Sequence, residues 1–224
     1  MEKNKISERI WFSALCLLIA GNALIWAGVF RNIHETKHAD QMTDHYEDLI
    51  VDMDDANKRT LVTHLYTMDA FLDETAGYFE NDSFPEGVTA MISFDGDGMG
   101  KKNDEFGQAA TDKLIVGFAD TVKEHFPDSD VNIVSNVGEK SDEFYMLLLG
   151  RDSEEEVVKE IEDFQEDIRK IVVKADDGRD VTGTVSIGIA FKEPGQTFES
   201  LFEEADQAAY EAKEAGKDCY RVSD

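Results

Sequence analysis

Acidic residues placed directly after a predicted strand are the first candidates for chemistry in this chain. Asp95 and Asp97, separated by Gly96, follow the apolar run 88–94, whose residue types predict a buried strand. Carboxylate oxygens suit Mg²⁺, which commonly bridges protein carboxylates and substrate phosphates. Because the chain contains 49 Asp and Glu residues, a solvated acidic turn explains this pair better when it is taken alone.

A second acidic pair, Asp142 and Glu143, is predicted to lie in a hairpin between strands 131–137 and 144–149. In a palm-like sheet this hairpin would lie beside the first strand, so that Asp142 and Asp95 could together hold two metal ions. Two metal ions activate a 3′-hydroxyl nucleophile and stabilise a pyrophosphate leaving group. The two acidic pairs therefore favour a nucleotidyl-transfer site.

The elements that must position these residues predict an α/β domain. Short apolar runs predict strands at 88–94, 131–137, 144–149, 180–190 and 219–222. Amphipathic periodicity predicts helices at 61–78, 104–124, 153–172 and 198–215. Ser153 is the expected N-cap of the third helix, and Gly216 is expected to end the last one. This order predicts a sandwich with a central mixed β-sheet flanked by helices.

Four motifs, in order along the chain, resemble those of the GGDEF family. They are FDGDGMGKKNDEFGQAATD (94–112), SDEF (141–144), TVSIGIA (184–190) and ADQAAYEAKEAGK (205–217). The resemblance implies the palm-like nucleotidyl cyclase fold of that family. It also implies diguanylate cyclase chemistry, in which two GTP molecules are joined into cyclic di-GMP. Because one domain holds one GTP, two copies must face each other, and a homodimer is expected.

The resemblance also implies a role for each matching residue. Asp95, the carbonyl of Gly96 and Asp142 would bind Mg²⁺ or Mn²⁺, with Asp142 and Glu143 as the catalytic carboxylates. The implied reaction starts with attack of each 3′-hydroxyl on the α-phosphorus of the other nucleotide.

The nucleotide itself would be held by two further pairs of residues. Asn103 and Asp112 stand where the family reads guanine, whose edge an amide and a carboxylate can match, so GTP is the implied substrate. Lys213 and Lys217 stand where cations meet the triphosphate. Since they are four positions apart, they are expected to share one face of the last helix. Without the resemblance, a solvated helix surface would explain both lysines.

The glycine pair of the family's name motif is replaced by Lys140 and Ser141. Glycine allows positive φ at a hairpin, whereas serine in a left-handed conformation costs about 1–2 kcal/mol. A shifted turn at Gly138 could relieve this strain, and Lys140 could add a cation near the phosphates. In the first motif, Met99 and Gly100 replace the usual phenylalanine and lysine, and Lys101 follows one residue later.

These departures leave two alternatives to an active diguanylate cyclase. One is a catalytically silent domain that binds GTP and signals as a scaffold. The other is a cyclase that makes a different cyclic nucleotide, since DGDGMG (95–100) is also similar to the palm of CRISPR-associated polymerases.

The N-terminal part of the chain predicts a membrane anchor. Residues 10–30 are uncharged and long enough to cross a hydrocarbon core of roughly 30 Å, with Trp11 and Trp26 towards the two ends. A cleaved signal peptide is the alternative, but the apolar run is too long for one and no clear cleavage site follows. The flanking charges slightly favour a cytoplasmic N-terminus. Use of GTP requires the C-terminal domain in the cytoplasm, so we expect a single-pass protein of the cell membrane with that orientation.

A helical stalk is predicted after the anchor, over residues 31–53. Its apolar residues recur at heptad-like spacing, namely Ala39, Met42, Tyr46, Leu49 and Met53. We expect the stalk to form a parallel dimer; a single amphipathic helix lying on the domain is the alternative. The predicted organisation is a tail (1–9), a transmembrane helix (10–30), the stalk and a GGDEF-like domain (54–224).

The charge and the cysteines restrict the remaining functions. The formal net charge is −27 at pH 7, so the chain is not expected to bind nucleic acid by general attraction to phosphates. Cys16 and Cys219 indicate neither a disulfide framework nor a zinc site.

Overall fold

A five-stranded sheet lies at the centre of the computed structural model, which describes residues 57–223. Its strands are β1 (Val88–Gly96), β2 (Asn132–Asn136), β3 (Glu143–Arg151), β6 (Val185–Phe191) and β7 (Tyr220–Val222). They are arranged in the order β2-β3-β1-β6-β7. The β6–β7 pair is parallel and the other pairs are antiparallel, so the sheet is mixed, as predicted.

Within residues 57–223, five helices cover the two faces of this sheet. They are α1 (Met68–Glu80), α2 (Met99–Phe106), α3 (Gln108–His125), α4 (Glu154–Ile168) and α5 (Phe198–Glu214). Alternate residues of β1 point to opposite faces: Ile92 and Phe94 pack with α3 and α4, and Met91 packs with α1 and α5. The predicted α/β sandwich is therefore confirmed, with one hydrophobic layer on each side of the sheet.

The predicted strand 180–190 is wrong, because its residues form two strands in different sheets. Asp180–Thr182 is β5, which pairs with β4 (Val172–Lys174) in a separate hairpin. The helix that was predicted to reach residue 172 therefore ends at Ile168. Its predicted N-cap is confirmed, since the Ser153 hydroxyl accepts a hydrogen bond from the amide of Glu156.

The first predicted helix begins later than expected. Residues 61–63 form a turn, and α1 starts at Met68 with Thr67 as its N-cap. The predicted tail, membrane anchor and stalk lie outside the described residues. Among residues 57–223, no helix combines the length and the apolar character that crossing a membrane requires.

Candidate active site

Three acidic residues, Asp95, Asp142 and Glu143, meet at the end of β1 and form the acidic group of the site. Asp95 lies directly opposite Glu143 across the β1–β3 ladder, and the amide of Gly96 donates to the carbonyl of Asp142 at 2.9 Å. Residues directly opposite each other in an antiparallel pair have Cβ atoms about 5 Å apart. On the other face of the sheet, the rings of Phe94 and Phe144 stack with their centroids 4.6 Å apart. The hairpin thus lies beside β1, as the sequence predicted.

Gly96 is needed for this close approach. A Cβ atom at this position would lie 2.8 Å from Cγ of Met99 and 3.1 Å from Cβ of Asp142. Any larger residue would overlap the side chain of Met99 and crowd that of Asp142.

Asp95 has the most perturbed electrostatic environment in this group. Its side chain is 19% exposed, and Nζ of Lys213 lies 2.9 Å from its Oδ2. Burial raises the pKa of Asp95; Lys213 opposes this effect, and the charges of Asp142 and Glu143 add to it. A desolvated carboxylate beside two others requires positive charge, which Lys213 supplies in part.

The donors at this position fit a small, hard divalent cation. Within residues 57–223, no three acidic, histidine or cysteine side chains converge as a metal-binding group. Mg²⁺ and Mn²⁺ need fewer protein ligands, because water and substrate phosphates complete their coordination. The carboxylates of Asp95 and Asp142 are therefore a sufficient protein contribution to such a site.

Asp97 is not part of this acidic group, although the sequence pairs it with Asp95. It is buried, and its carboxylate accepts hydrogen bonds from the hydroxyls of Thr184 and Ser186, each at 2.7 Å. It also accepts a 3.0 Å bond from the amide of Asp218. These partners fix the carboxylate within the fold, so Asp97 ties the end of β1 to β6 and to the turn that follows α5.

The predicted pairing of Lys213 and Lys217 on one helix face is wrong. Helix α5 ends at Glu214, and the backbone becomes left-handed at Gly216 (φ 120°) and at Lys217 (φ 69°). Lys213 lies in the last helical turn and reaches Asp95, whereas Lys217 lies beyond the helix and is exposed. Of the two predicted triphosphate cations, Lys213 is therefore the one that the described contacts bring to Asp95.

The predicted helix 104–124 is wrong, because a break at Gly107 divides it between the two candidate guanine ligands. In one continuous helix, Asn103 and Asp112 would be about 14 Å apart along the axis and on opposite faces. Instead, α2 ends at Phe106, Gly107 takes a φ of 83°, and α3 begins at Gln108. The Thr111 hydroxyl then donates to Oδ1 of Asn103 at 3.4 Å, so Asn103 lies against the first turn of α3, at the residue before Asp112.

The hairpin connects this pair with the acidic group. Nζ of Lys140 lies 2.5 Å from Oδ2 of Asp112. The Asn136 side chain donates to the carbonyls of Ser141 and Glu143 at 2.9 and 3.0 Å. The Ser141 hydroxyl accepts a bond from the amide of Glu143 at 3.2 Å. The hairpin thus contacts Asp112, one of the two predicted base ligands, and carries Asp142, one of the predicted metal ligands.

The predicted strain at the replaced glycine pair is absent. Among the described residues, the non-glycine positions with positive φ are His64, Asp82, Lys217 and Asp218. Lys140 and Ser141 therefore make the turn with ordinary backbone angles, and Gly138 needs no positive φ either. Any cost of replacing the glycine pair must therefore come from contacts of the Lys140 and Ser141 side chains, since the backbone is not strained there.

Sequence comparison identifies the fold. The family model described as "Diguanylate cyclase, GGDEF domain" matches residues 61–219. The chain belongs to the GGDEF family. No curated protein sequence matches it.

Solved structures of other GGDEF proteins share this architecture. The chain is similar to the coiled coil and GGDEF domain of DgcB from Caulobacter crescentus in complex with c-di-GMP, with a TM-score of 0.69 at 21% identity. That match covers 83% of this chain and 95% of the other. A second match is diguanylate cyclase SiaD from Pseudomonas aeruginosa in complex with its activator SiaC, with a TM-score of 0.68 at 18% identity over 99% and 84% of the two chains. At these identities the likeness concerns the fold.

Two residues of this GGDEF domain with a positional role were missed in the sequence. Lys102, not Lys101, turns back towards the end of β1, where its Nζ donates to the carbonyl of Asp97 at 3.0 Å. Asn136 is fully buried at the base of the hairpin and holds two of its carbonyls. The sequence signal that could have identified Asn136 is its place as a polar residue near the end of the apolar run 131–137.

Proposed function

We propose that this chain is a diguanylate cyclase that joins two GTP molecules into cyclic di-GMP with Mg²⁺ or Mn²⁺. The main support is the continuity of the site. Asp95 and Asp142 lie where the hairpin meets the end of β1, and Lys140 at the tip of the hairpin contacts Asp112. A nucleotide whose base is held by Asn103 and Asp112 would therefore place its phosphates towards the acidic group. Membership of the GGDEF family supports the same substrate.

Each residue of the site would have a separate role in the reaction. Asp95 and Asp142 would hold the metal, which when bound supplies positive charge to the triphosphate and lowers the pKa of the attacking hydroxyl. Glu143 is exposed at the same ladder position as Asp95, where its carboxylate can take the proton of the 3′-hydroxyl. Lys213, which contacts Asp95, would pair with the triphosphate.

We further propose that the active form is a homodimer anchored in the cell membrane. The reaction needs two GTP molecules held by two domains, and the heptad-like residues of 31–53 would place two copies side by side. The uncharged segment 10–30 supports a single span, with the C-terminal domain in the cytoplasm, where GTP is available. Recovery of the full chain from cells in the soluble fraction would contradict the anchor.

A catalytically silent GTP-binding domain is the second candidate. It is favoured by the hairpin, where Lys140 and Ser141 replace the glycines that let a backbone approach a phosphate closely. A cyclase that makes a different product from another nucleotide is a third possibility.

Product analysis distinguishes these candidates. The full chain, purified in detergent, is incubated with Mg²⁺ and an equal mixture of the four ribonucleoside triphosphates. Cyclic di-GMP as the main product is expected. GTP binding without product in a demonstrably dimeric sample would favour the silent domain, and a main product derived from ATP would contradict the roles of Asn103 and Asp112.

The Asp95→Asn variant is expected to lose most of the thermal stabilisation that Mg²⁺ and a non-hydrolysable GTP analogue give to the wild-type chain. Asparagine keeps the shape of the side chain but removes the charge that would attract the cation, and a ligand that binds the folded state raises Tm. Because burial raises the pKa of Asp95, protons compete with the metal. The wild-type increase in Tm should therefore shrink as the pH is lowered through that raised pKa, as scanning fluorimetry can measure.

Without metal and nucleotide, the Asp95→Asn variant should not be less stable than wild type. A raised pKa means that folding disfavours the ionised form of Asp95. This cost is absent below the ordinary pKa of 3.8 and grows as the pH rises towards the raised value. Without ligand, Asp95→Asn should be at least as stable as wild type at neutral pH. Asp163→Asn, on the exposed face of α4, is the control; equal ligand-induced shifts in both variants would argue against Asp95 as a metal ligand.

A further inference from the structure

The tip of the hairpin is held at a fixed place on both of its sides. On one side, the carboxylate of Glu139 accepts hydrogen bonds from the amides of Leu61 and Val62 at 2.8 to 3.2 Å. On the other, the ammonium of Lys140 lies 2.5 Å from the carboxylate of Asp112. Lys140 therefore extends from an anchored turn, and its contact with Asp112 follows from where that turn is held.

This contact conflicts with the role proposed for Asp112. The edge of guanine that a carboxylate can read carries two N–H donors, so Asp112 must offer free oxygen acceptors to bind it. A lysine ammonium is also a donor and has no acceptor. A base that bonds to both carboxylate oxygens must share Oδ2 with the ammonium, and this sharing weakens its contact with Asp112.

We propose that Lys140 determines the guanine affinity of this site by competing with the base for Asp112. This inference rests on the proposed function, since it assumes that Asp112 binds guanine. GTP enters by displacing the ammonium from the carboxylate, so the free energy of the Lys140–Asp112 pair is subtracted from that of binding. The residue at the first glycine position of the name motif thus sets the affinity of the site for GTP.

The exposure of the pair sets the size of the effect. The side chains of Lys140 and Asp112 are 50% and 25% exposed, which places them among partly solvated surface pairs. Pairs of this kind contribute little, and removing the competitor should tighten GTP binding by about 1.5- to 5-fold. The opposite effect would follow if Lys140 contacted the triphosphate, because its removal would then weaken binding.

Titration calorimetry of the full chain with Mg²⁺ and a non-hydrolysable GTP analogue tests the proposal. Lys140→Met, which keeps the aliphatic stem, is expected to bind the analogue about 1.5- to 5-fold more tightly than wild type. Lys140→Arg keeps the ion pair and should not bind more tightly. Lys113→Met removes the same charge one residue from Asp112, at an exposed lysine that contacts the carbonyl of Lys174, and is the matched control. It should leave the affinity unchanged.

A double-mutant cycle with Asp112→Asn identifies the route of the effect. Lys140→Met should bring no gain when Asp112 is already replaced. A gain that persists in that background, or unchanged or weaker binding by Lys140→Met alone, would overturn the competition. If Asp112→Asn itself leaves GTP binding unchanged, the guanine-reading role fails, and the proposed function fails with this inference. A weakened Asp112→Asn protein with no effect of Lys140→Met leaves the proposed function standing and removes only the competition.

Discussion

Replacing Asp142 by alanine is expected to lower the rate of cyclic di-GMP formation by about 10²- to 10³-fold or more. The reason is that the metal which this ligand would hold stabilises the charge of the transition state by several kcal/mol. The structure supports this size of effect, since Asp142 lies at the end of the hairpin whose backbone is bonded to Gly96. Its carboxylate also raises the pKa of Asp95, which indicates that the two groups share one electrostatic environment. Initial rates of product formation at saturating GTP and Mg²⁺ measure the loss.

The fold should not suffer in this variant. Asp142 is half-exposed, and the hydrogen bond at the end of β1 uses its backbone carbonyl, which alanine keeps. A thermal unfolding midpoint close to that of wild type is therefore expected. Asp163→Ala removes an exposed carboxylate from α4 and should keep full activity. An Asp142→Ala protein that retains more than about a tenth of the wild-type rate would exclude a metal ligand at this position.

Gly188→Ala should be strongly destabilising, with a loss of more than about 3 kcal/mol in the free energy of unfolding. A Cβ atom at this position would lie 2.0 Å from the carbonyl oxygen of Ala205 and 2.3 Å from the amide nitrogen of Ala209. Both are backbone atoms in the middle of α5, so no rotamer change can relieve the overlap. The whole helix would have to move away from β6. Urea unfolding of the full chain in detergent measures the difference.

A glycine in open space supplies the control for this substitution. Gly77 lies inside α1, and a Cβ atom there would meet no other atom within 4 Å. Gly77→Ala should therefore raise the free energy of unfolding by about 0.5–1 kcal/mol, since glycine is a poor helix former. If Gly188→Ala proved as stable as wild type, the contact between α5 and β6 would be looser than described. Because Lys213 is carried by α5, the variant should also lose the 2.9 Å contact with Asp95.

The place of the acidic group was predictable because local signals and family motifs agree there. An apolar run that ends in carboxylates predicts a strand followed by a turn, and the register of Asp95 with Glu143 follows once β1 and β3 are neighbours. The break at Gly107 was not predictable in the same way, because the helical pattern continues through it. A single glycine inside such a pattern is usually tolerated, and here its left-handed backbone decides the structure.

The partners of long side chains were the least predictable part of the site. Spacing alone places Lys213 and Lys217 on one face, but the left-handed turn after α5 separates them. Lys140 was considered as a cation for phosphates, whereas its ammonium contacts Asp112. In each case the contact depends on where another element ends, and no local pattern in the sequence encodes that end point.

The bond between Asp218 and Asp97 joins two residues that are 121 positions apart. A ribosome makes the chain from its N-terminus, so β1 and the hairpin leave the exit tunnel well before the turn after α5 does. Until residue 218 emerges, the buried carboxylate of Asp97 lacks one of its donors, and until residue 213 emerges, Asp95 lacks its cation. The acidic edge of the nascent domain is therefore completed only after α5 and the turn that follows it have emerged.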